Sequence, residues 1–308
     1  MISETVPAAL DGERLDRAVA LLADVSRAVS AALIADGAVR VDGEIVVAGK
    51  TRLATGAHVT IETAAIPVST PPRADPSVEF GVVHADADVV VVDKPAGLVV
   101  HPGAGNAEGT LVNGLLARFP DIASLGSDDT AERPGIVHRL DAGSSGLLVV
   151  ARTEAARASL LAQFAAHTAT RRYVALVWGH PAAAHGIVDA PIGRDPGDPT
   201  RMAVVADGRP ARTEYEVVER LRDGADTALL TCKLETGRTH QIRVHLAAVG
   251  HPLVGDSTYG ERRSTLGLYR PFLHAAELSF DHPTTGARVT FTSELPADLT
   301  GLLERLRG

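Results

Sequence analysis

The sequence predicts a two-domain α+β protein, with a small N-terminal module followed by a larger mixed domain. The chain of 308 residues is long enough for two domains, each with its own core. A stretch rich in proline and small residues at positions 64–76 has no apolar periodicity and separates two differently patterned regions. We therefore predict domains at residues 1–70 and 81–308, joined by a flexible linker at residues 71–80.

The first module is predicted to start with two helices between residues 13 and 36. Apolar residues recur at helical spacing from Leu15 onwards. Ser26 has the side chain of a helix N-cap for the second helix, and Gly37 is typical of a left-handed cap that ends it.

A hairpin and a third strand follow these helices. Two short runs, Val-Arg-Val at 39–41 and Ile-Val-Val at 45–47, are rich in β-branched residues, and Asp42-Gly43 between them is a strong signal for a tight turn. Residues 58–61 predict the third strand.

Beyond the linker, short β-rich runs alternate with helical stretches. The clearest helix is predicted at residues 153–167. Strands are predicted at residues 89–92, 147–150, 173–178, 228–234 and 288–292. This alternation indicates one mixed α+β domain without internal repeats.

Composition excludes several classes of protein. Hydrophobic residues make up 45% and charged residues 22% of the chain, and no apolar run approaches the roughly 20 residues of a membrane helix. The N-terminus lacks the basic start of a secretion signal, and the single cysteine, Cys232, can form no internal disulfide. We expect a cytoplasmic protein with no membrane association.

The net charge of -8 argues against a general polyanion binder, since phosphate neutralisation drives nonspecific nucleic-acid affinity. Residues 136–173 are nevertheless locally positive, with five arginines against one aspartate and one glutamate. Charge alone leaves nucleic-acid binding open.

The segment at residues 135–150, GIVHRLDAGSSGLLVV, is the most informative for chemistry. It places Arg139 and Asp141 on a glycine-flanked loop directly ahead of an apolar strand, an arrangement that often holds functional side chains over a rigid scaffold. From these residues alone, a salt bridge within the loop is an equally good interpretation.

Other chemical signatures are weak. Gly103 and Gly105 lack the third glycine of a dinucleotide fingerprint, and residues 143–146 do not form the hydrolase elbow. His240 and His245 are five residues apart and would not share a helical face as metal ligands. We predict no metal site.

The HRLD segment is similar to the signature of the RluA/RluD-type large-subunit ribosomal RNA pseudouridine synthases. Four further motifs of that family follow the same order in this chain: KPAG at 94–97, RRY at 171–173, GRTHQIRVH at 237–245, and LHA at 273–275 with HP at 282–283. Two positions depart from the family pattern, namely 142–144 after the aspartate and Arg171, where lysine is usual. Both bear on RNA contacts more than on chemistry.

The N-terminal module resembles the S-four-type (αL-type) RNA-binding domain of a small-subunit ribosomal protein. The resemblance rests on RLD at 14–16, Ser26-Arg27 and the glycine and valine spacing at 37–43. It implies a basic helical face whose RNA contacts would come from Arg14, Arg17, Arg27 and Arg40. The alternative is that these are solvated surface arginines.

The larger resemblance implies a long, mixed and mainly antiparallel central sheet with flanking helices, the pseudouridine synthase fold. The implied reaction converts specific uridines to pseudouridine, most simply in large-subunit ribosomal RNA, without a metal or organic cofactor. Transfer RNA as the substrate, or an inactive ribosome-assembly factor, are the alternatives. We expect a monomer.

The resemblance also implies roles for individual residues. Asp141 is the family's essential aspartate, and Arg243 is the cation that keeps it ionised. Tyr173 would stack on the uracil or pass a proton, and the alternative is a core tyrosine. Arg139 would either fill the gap left by the extruded base or clamp a phosphate. Two further RNA contacts are expected from Arg171 and Arg238.

Overall fold

The computed structural model describes residues 1–23, 25, 27–65, 71–103, 106–125, 133–198, 200–222, 224–260 and 263–308, without the side chains of residues 27, 28 and 63. The predicted cap Ser26 lies outside the described residues. Within them the chain divides into two compact units, residues 1–71 and residues 72–308.

The first unit packs two helices against a small sheet. Its elements are β1 (Ile2–Thr5), α1 (Leu15–Leu22), α2 (Arg27–Ala35), β2 (Val39–Val41), β3 (Glu44–Ile45) and β4 (His58–Ile61). Over the described part of this unit the sheet order is β1-β4-β2-β3. Leu15 and Val19 of α1 pack with Leu33 and Ile34 of α2 in one apolar core, which explains their helical spacing.

Both predicted helices of this unit are confirmed, and so is the cap between α2 and β2. Gly37 has φ 75°, and the next amide, Ala38 N–H, donates to the carbonyl of Leu33 at 2.9 Å. Asp42 and Gly43 both have positive φ, as the hairpin signal requires. The second hairpin strand was predicted wrongly as residues 45–47. It is β3, an edge strand that pairs only with β2 and ends at Ile45.

The second unit is built on one large sheet. Its elements are β5 (Gly81–Ala85), β6 (Val89–Lys94), α3 (Leu111–Arg118), β7 (Ser145–Ala151), α4 (Glu154–Ala165), β8 (Thr170–Trp178), β9 (His185–Asp189), β10 (Ile192–Arg194), β11 (Met202–Val204), β12 (Arg212–Leu221), β13 (Thr227–Leu234), α5 (Gln241–Ala248), β14 (Leu273–Asp281), β15 (Arg288–Thr292) and α6 (Ala297–Arg307). Each strand predicted here lies within β6, β7, β8, β13 or β15, and the predicted helix is α4.

In the described chain the large sheet runs β5-β6-β7-β14-β8-β13-β12-β9, with β15 paired to β14. The β14–β7 pair is parallel, and the other pairs in this sheet are antiparallel. The predicted mixed, mainly antiparallel sheet is confirmed. A separate ribbon joins β10 and β11.

Helices cover both faces of the sheet centre. Val90 and Val92 of β6 pack in a core that includes residues of α3 and α5, whereas Val89 and Val91 pack in a second core beneath α4. Side chains alternate between the two faces of a strand, so burial on both faces produces the continuous apolar run at residues 89–92.

The flexible linker predicted at residues 71–80 is in large part wrong. Asn113 of α3 accepts the Asp75 amide at its carbonyl and donates its side-chain amide to the carbonyl of Arg73, at 2.9 and 2.7 Å. Phe80 lies in the core of the second unit. Proline and small residues give this segment no apolar periodicity in the sequence. The ring of Phe80 and the side-chain amide of Asn113 nevertheless attach it to the second unit.

None of the helices in the described ranges is long and apolar enough to cross a membrane.

Candidate active site

Asp141 lies on the loop that leads into β7, as the glycine-flanked segment predicts. Gly146 of β7 has φ 108°, and a Cβ atom there would lie 2.3 Å from the carbonyl oxygen of Ala275 on β14. Only glycine permits this approach of the two strands. The parallel contact between β7 and β14 thus fixes the start of β7, and Asp141 stands four residues ahead of its first residue, Ser145, with its side chain 17% exposed.

Lys94, at the end of β6, ties a second loop to the one that carries Asp141. It is fully buried, and its Nζ donates at 2.8 to 3.2 Å to the carbonyls of Pro95, Leu98 and Ala142. Burial lowers the pKa of Lys94 to about 7, although the charge of Asp141 raises it. The KPAG lysine therefore positions the residue next to Asp141.

Arg243 of α5 faces Asp141 across the site. Its Nε and Nη2 donate to the two carboxylate oxygens of Asp256 at 2.7 and 2.9 Å, which leaves Nη1 directed at Asp141. The distance from Nη1 to Asp141 Oδ2 is 3.5 Å. The structure thus brings Arg243, the cation that the resemblance implies, next to Asp141.

Asp256 keeps this arginine in place and charged. Burial alone would raise the pKa of Asp256, but Arg243 and the amides of Thr258 and Tyr259 lower it overall. Burial likewise opposes the charge on Arg243, and the hydrogen bond and charge of Asp256, with the charge of Asp141, raise the pKa of Arg243 overall. Within the described residues Asp141 pairs with Arg243 and not with Arg139, so the loop salt bridge is not formed.

Asp141 and Tyr173 line one cavity of about 580 Å³, a size typical of small-ligand sites. Tyr173 of β8 is both a core residue and part of the cavity wall, at 5% exposure. Burial raises the pKa of Tyr173 to about 12, against the opposing charge of Arg171 and with a smaller contribution from the charge of Asp141. The phenol therefore keeps its proton at neutral pH and can donate it.

Arginines surround the mouth of this cavity. Arg139 and Arg209 are exposed, and Arg238 is half-buried and donates to the carbonyl of Pro210. None of the three forms an ion pair with any described residue. Burial, and next the charge of Arg209, lowers the pKa of Arg238, as expected for adjacent cations without a counterion. This group, Arg139, Arg209 and Arg238, is called the rim arginines below.

The chain is similar to known proteins both in sequence and in structure. The family described as RNA pseudouridylate synthase matches residues 88–248. The chain is 50% identical over 303 residues, 98% of its own length and 92% of the relative's, to a protein named "Uncharacterized RNA pseudouridine synthase" from Chloroflexus aurantiacus. The chain belongs to the RNA pseudouridylate synthase family. It is therefore an RNA-modifying isomerase.

Further similarities lie within this pseudouridine synthase family. The chain is 42% identical to "Ribosomal large subunit pseudouridine synthase D" from Zymomonas mobilis, covering 96% of this chain and 94% of the relative. The solved structure of human RNA pseudouridylate synthase domain containing 1 aligns with a TM-score of 0.59 and 30% identity, covering 73% of this chain and 88% of that one. The predicted pseudouridine synthase family and fold are confirmed.

The locally positive segment of this synthase is largely neutralised by folding. Arg152 pairs with Asp121 at 2.8 Å and Arg172 with Glu277 at 3.3 Å. Arg171 is 8% exposed, and its Nη2 donates to the carbonyl of Glu235. It can meet a substrate only from inside the cavity. Arg139 is the arginine of this segment that belongs to the exposed rim.

The arginines expected to contact RNA in the first unit are engaged within that unit. Arg14 donates to both oxygens of Asp16, and Arg17 pairs with Glu13 at 3.1 Å. Arg40 donates to the carbonyl of Gly43. The side chain of Arg27 lies outside the described residues.

Sequence reasoning missed four residues of the site. Lys94 belongs to the KPAG motif, but its bond to the Asp141 loop joins segments 48 residues apart. The pairing of Asp256 with Arg243 depends on how the chain folds after α5. His240 was dismissed as a metal ligand, yet it lines the cavity beside Asp141. Arg209 lies in no recognised motif, and no signal in the sequence distinguishes it from other surface arginines.

Proposed function

We propose that this synthase isomerises uridines of large-subunit ribosomal RNA, with Asp141 as the reacting carboxylate. The observation that carries the assignment is the placement of Asp141 in the cavity, 3.5 Å from a guanidinium whose other nitrogens are held by Asp256. The ribosomal substrate is supported by the names of full-length relatives such as that from Zymomonas mobilis.

The reaction breaks the bond from uracil N1 to ribose C1′ and forms a bond from C5 to C1′. C5 loses a proton and N1 gains one, so the product has the atoms of the substrate and no electron donor is required. Asp141 can act first by adding to C1′, by adding to the uracil ring or by removing a ribose proton. Each requires a carboxylate oxygen that can react, and Arg243 places a cation 3.5 Å from that of Asp141.

Tyr173 and the cavity wall would hold the extruded base. Its ring can stack on the uracil, and its protonated phenol can donate during the return of the base. Closure of the RNA over the cavity would exclude water, which otherwise intercepts a detached uracil.

The rim arginines Arg139, Arg209 and Arg238 would bind phosphates beside the target, because they are cationic and lack carboxylate partners among the described residues. Arg171 would act from inside the cavity. We further propose that residues 1–70 form an S-four-type RNA-binding domain, residues 71–80 its connection and residues 81–308 the catalytic domain. On this proposal the synthase is a cytoplasmic monomer that acts on ribosomal precursors.

Pseudouridine mapping in cells tests the proposal. Ribosomal and transfer RNA would be mapped in the parent strain, a deletion strain, and deletion strains that express the intact chain or Asp141→Asn. We expect specific large-subunit sites to disappear on deletion, to return with the intact chain and to stay absent with Asp141→Asn. Loss of transfer RNA sites alone would contradict the ribosomal substrate, and restoration by Asp141→Asn would contradict the role of Asp141.

A further inference from the structure

His240 stands on the cavity wall. It directly precedes α5, in the left-handed backbone conformation at φ 56° and ψ 22°, which is uncommon outside glycine but which histidine adopts more often than most residues. It lines the cavity that contains Asp141 and Tyr173, and also a smaller cavity of about 260 Å³ that contains Asp141 and Arg243. His240 therefore lines both of the cavities that Asp141 lines.

One edge of this imidazole is turned away from the cavities. His240 Nδ1 lies 2.8 Å from the phenol oxygen of Tyr259, a buried residue that lines neither cavity. The same oxygen accepts the backbone amide of Met202 at 3.0 Å. Guanidinium groups of Arg201 and Arg243 lie 5.2 and 5.0 Å from the Tyr259 ring centroid and hold it in place.

This arrangement fixes the tautomer of His240. Burial is the main cause that raises the pKa of Tyr259, so the phenol keeps its single hydrogen. The oxygen already accepts from Met202, and among the described residues Nδ1 of His240 is the acceptor available to that hydrogen. Burial, the largest influence, lowers the pKa of His240 below its ordinary 6.5, so the ring is neutral at pH 7. A neutral ring that accepts at Nδ1 carries its hydrogen on Nε2.

Nε2–H is thus a donor of fixed direction at the cavity, and no described residue accepts a hydrogen bond from it. A buried or half-buried donor favours a ligand with a matching acceptor. Uracil has a carbonyl oxygen at position 4, whereas cytosine has an amino group there. A fixed N–H donor can bond to the O4 carbonyl of uracil. With cytosine the same donor would face the amino group, which is a second donor.

We propose that His240 recognises the O4 carbonyl of the target uracil through Nε2–H and so excludes cytosine. The inference rests on the proposed function, because it names a contact to the base that the synthase isomerises. Tyr259 is a positioning residue on this account, since it acts on the substrate only through the tautomer of His240.

A cycle between protein variants and substrate analogues tests the contact. A ribosomal RNA fragment would carry uridine, 4-thiouridine or 2-thiouridine at a mapped target, and single-turnover conversion would be measured for the intact protein, His240→Gln and His240→Asn. The amide nitrogen of glutamine lies near the position of Nε2, and that of asparagine near Nδ1, so only glutamine keeps a donor at the cavity. Sulfur is a weaker acceptor than oxygen.

We expect the intact protein and His240→Gln to convert 4-thiouridine about tenfold more slowly than uridine. His240→Asn should convert uridine and 4-thiouridine at a similar, reduced rate. The rate for 2-thiouridine relative to that for uridine should be the same in all three proteins. If the 4-thiouridine ratio of His240→Asn equals that of the intact protein, the contact is wrong and the proposed function stands. If the intact protein converts no uridine in ribosomal RNA, the proposed function fails and this inference fails with it.

Ring ¹⁵N NMR tests the tautomer independently of activity. In the intact protein at a pH of about 7.5, we expect the His240 signals of a protonated Nε2 and an unprotonated Nδ1. Tyr259→Phe should shift the proton towards Nδ1, because the phenol hydrogen is gone. A protonated Nδ1 in the intact protein would overturn the proposal.

Discussion

Asp256 holds Arg243 by two hydrogen bonds, at 2.7 and 2.9 Å, and its own side chain is fully buried. This pairing satisfies two of the three guanidinium nitrogens, so Arg243 cannot form a two-point pair with Asp141. The looser 3.5 Å contact leaves the oxygens of Asp141 accessible to a substrate while a cation remains beside them. On the proposed role of Asp141, this arrangement leaves the reacting carboxylate with a cation contact at 3.5 Å that does not occupy both of its oxygens.

Asp141→Asn should abolish conversion without abolishing RNA binding. The substitution keeps the side-chain shape but removes the negative charge and the reacting oxygen, whereas phosphate contacts elsewhere provide most of the affinity. Single-turnover conversion of a ribosomal RNA fragment would be measured beside its binding isotherm. Asp281→Asn, at an exposed carboxylate paired with Arg288, is the matched control. Activity lost only in proportion to lost binding would make Asp141 a structural residue.

Arg243→Met should reduce conversion by about 100-fold or more, because it removes the electrostatic partner of Asp141. It should also lower the free energy of unfolding by roughly 3 kcal/mol, since Asp256 is left buried without its cation. Urea unfolding and single-turnover kinetics measure the two effects. The double variant with Asp141→Asn should be scarcely less active than Asp141→Asn alone. Additive losses in the double variant would show that the two residues act separately.

Lys94→Met should change how stability depends on pH. The pKa of Lys94 is about 7 in the folded protein against an ordinary 10.5, so between these values the unfolded chain binds more protons. The stability that this pKa difference contributes is fully present above pH 10.5 and is lost as the pH falls through about 7. Between pH 7 and 9.5 the free energy of unfolding of the intact protein should rise by roughly 2 to 3 kcal/mol more than that of Lys94→Met. Urea unfolding at both pH values measures this difference, and parallel curves for the two proteins would contradict it.

Arg209→Met should weaken RNA binding and reduce its salt dependence. One fewer phosphate contact lowers the slope of log affinity against log salt by about 0.7 to 0.9. The measurement is the dissociation constant of a target fragment across a potassium chloride series. Arg307→Met is the matched control, because Arg307 pairs with Glu219 at 2.6 Å. Equal slopes for Arg209→Met and the intact protein would remove Arg209 from the RNA contacts.

Removal of residues 1–70 should leave a folded catalytic unit. Residues 73–80 are attached to α3 and to the core of that unit, and the cut leaves them in place. Affinity for long structured RNA should fall by about tenfold or more, because a second binding module is lost. A melting curve and a binding isotherm of the shortened chain test both statements. Loss of the cooperative melt would contradict the independence of the two units.

The local elements of this fold follow from the sequence. The apolar spacing of α1, the Asp42-Gly43 turn and the valines of β6 each depend on residues close together in the chain, and each was predicted. The loop position of Asp141 is also a local pattern, but its role as the essential aspartate was implied by the resemblance of the HRLD segment to the family signature. The missed attachment of the linker at Arg73 and Asp75 depends on a partner, Asn113, that is distant in the sequence.

The sequence by itself thus predicted many of the local elements, the family and Asp141 as the candidate catalytic residue. Only the tertiary structure decided what surrounds that aspartate. Arg243 is 102 residues from Asp141, and Lys94 is 48 residues from the carbonyl that it holds next to the aspartate. Apolar periodicity specifies which face of a strand is buried, but not which distant strand pairs with it. The charges and tautomers of the site depend on that pairing, because β14 brings the β7 and β8 regions together and α5 packs against the same sheet.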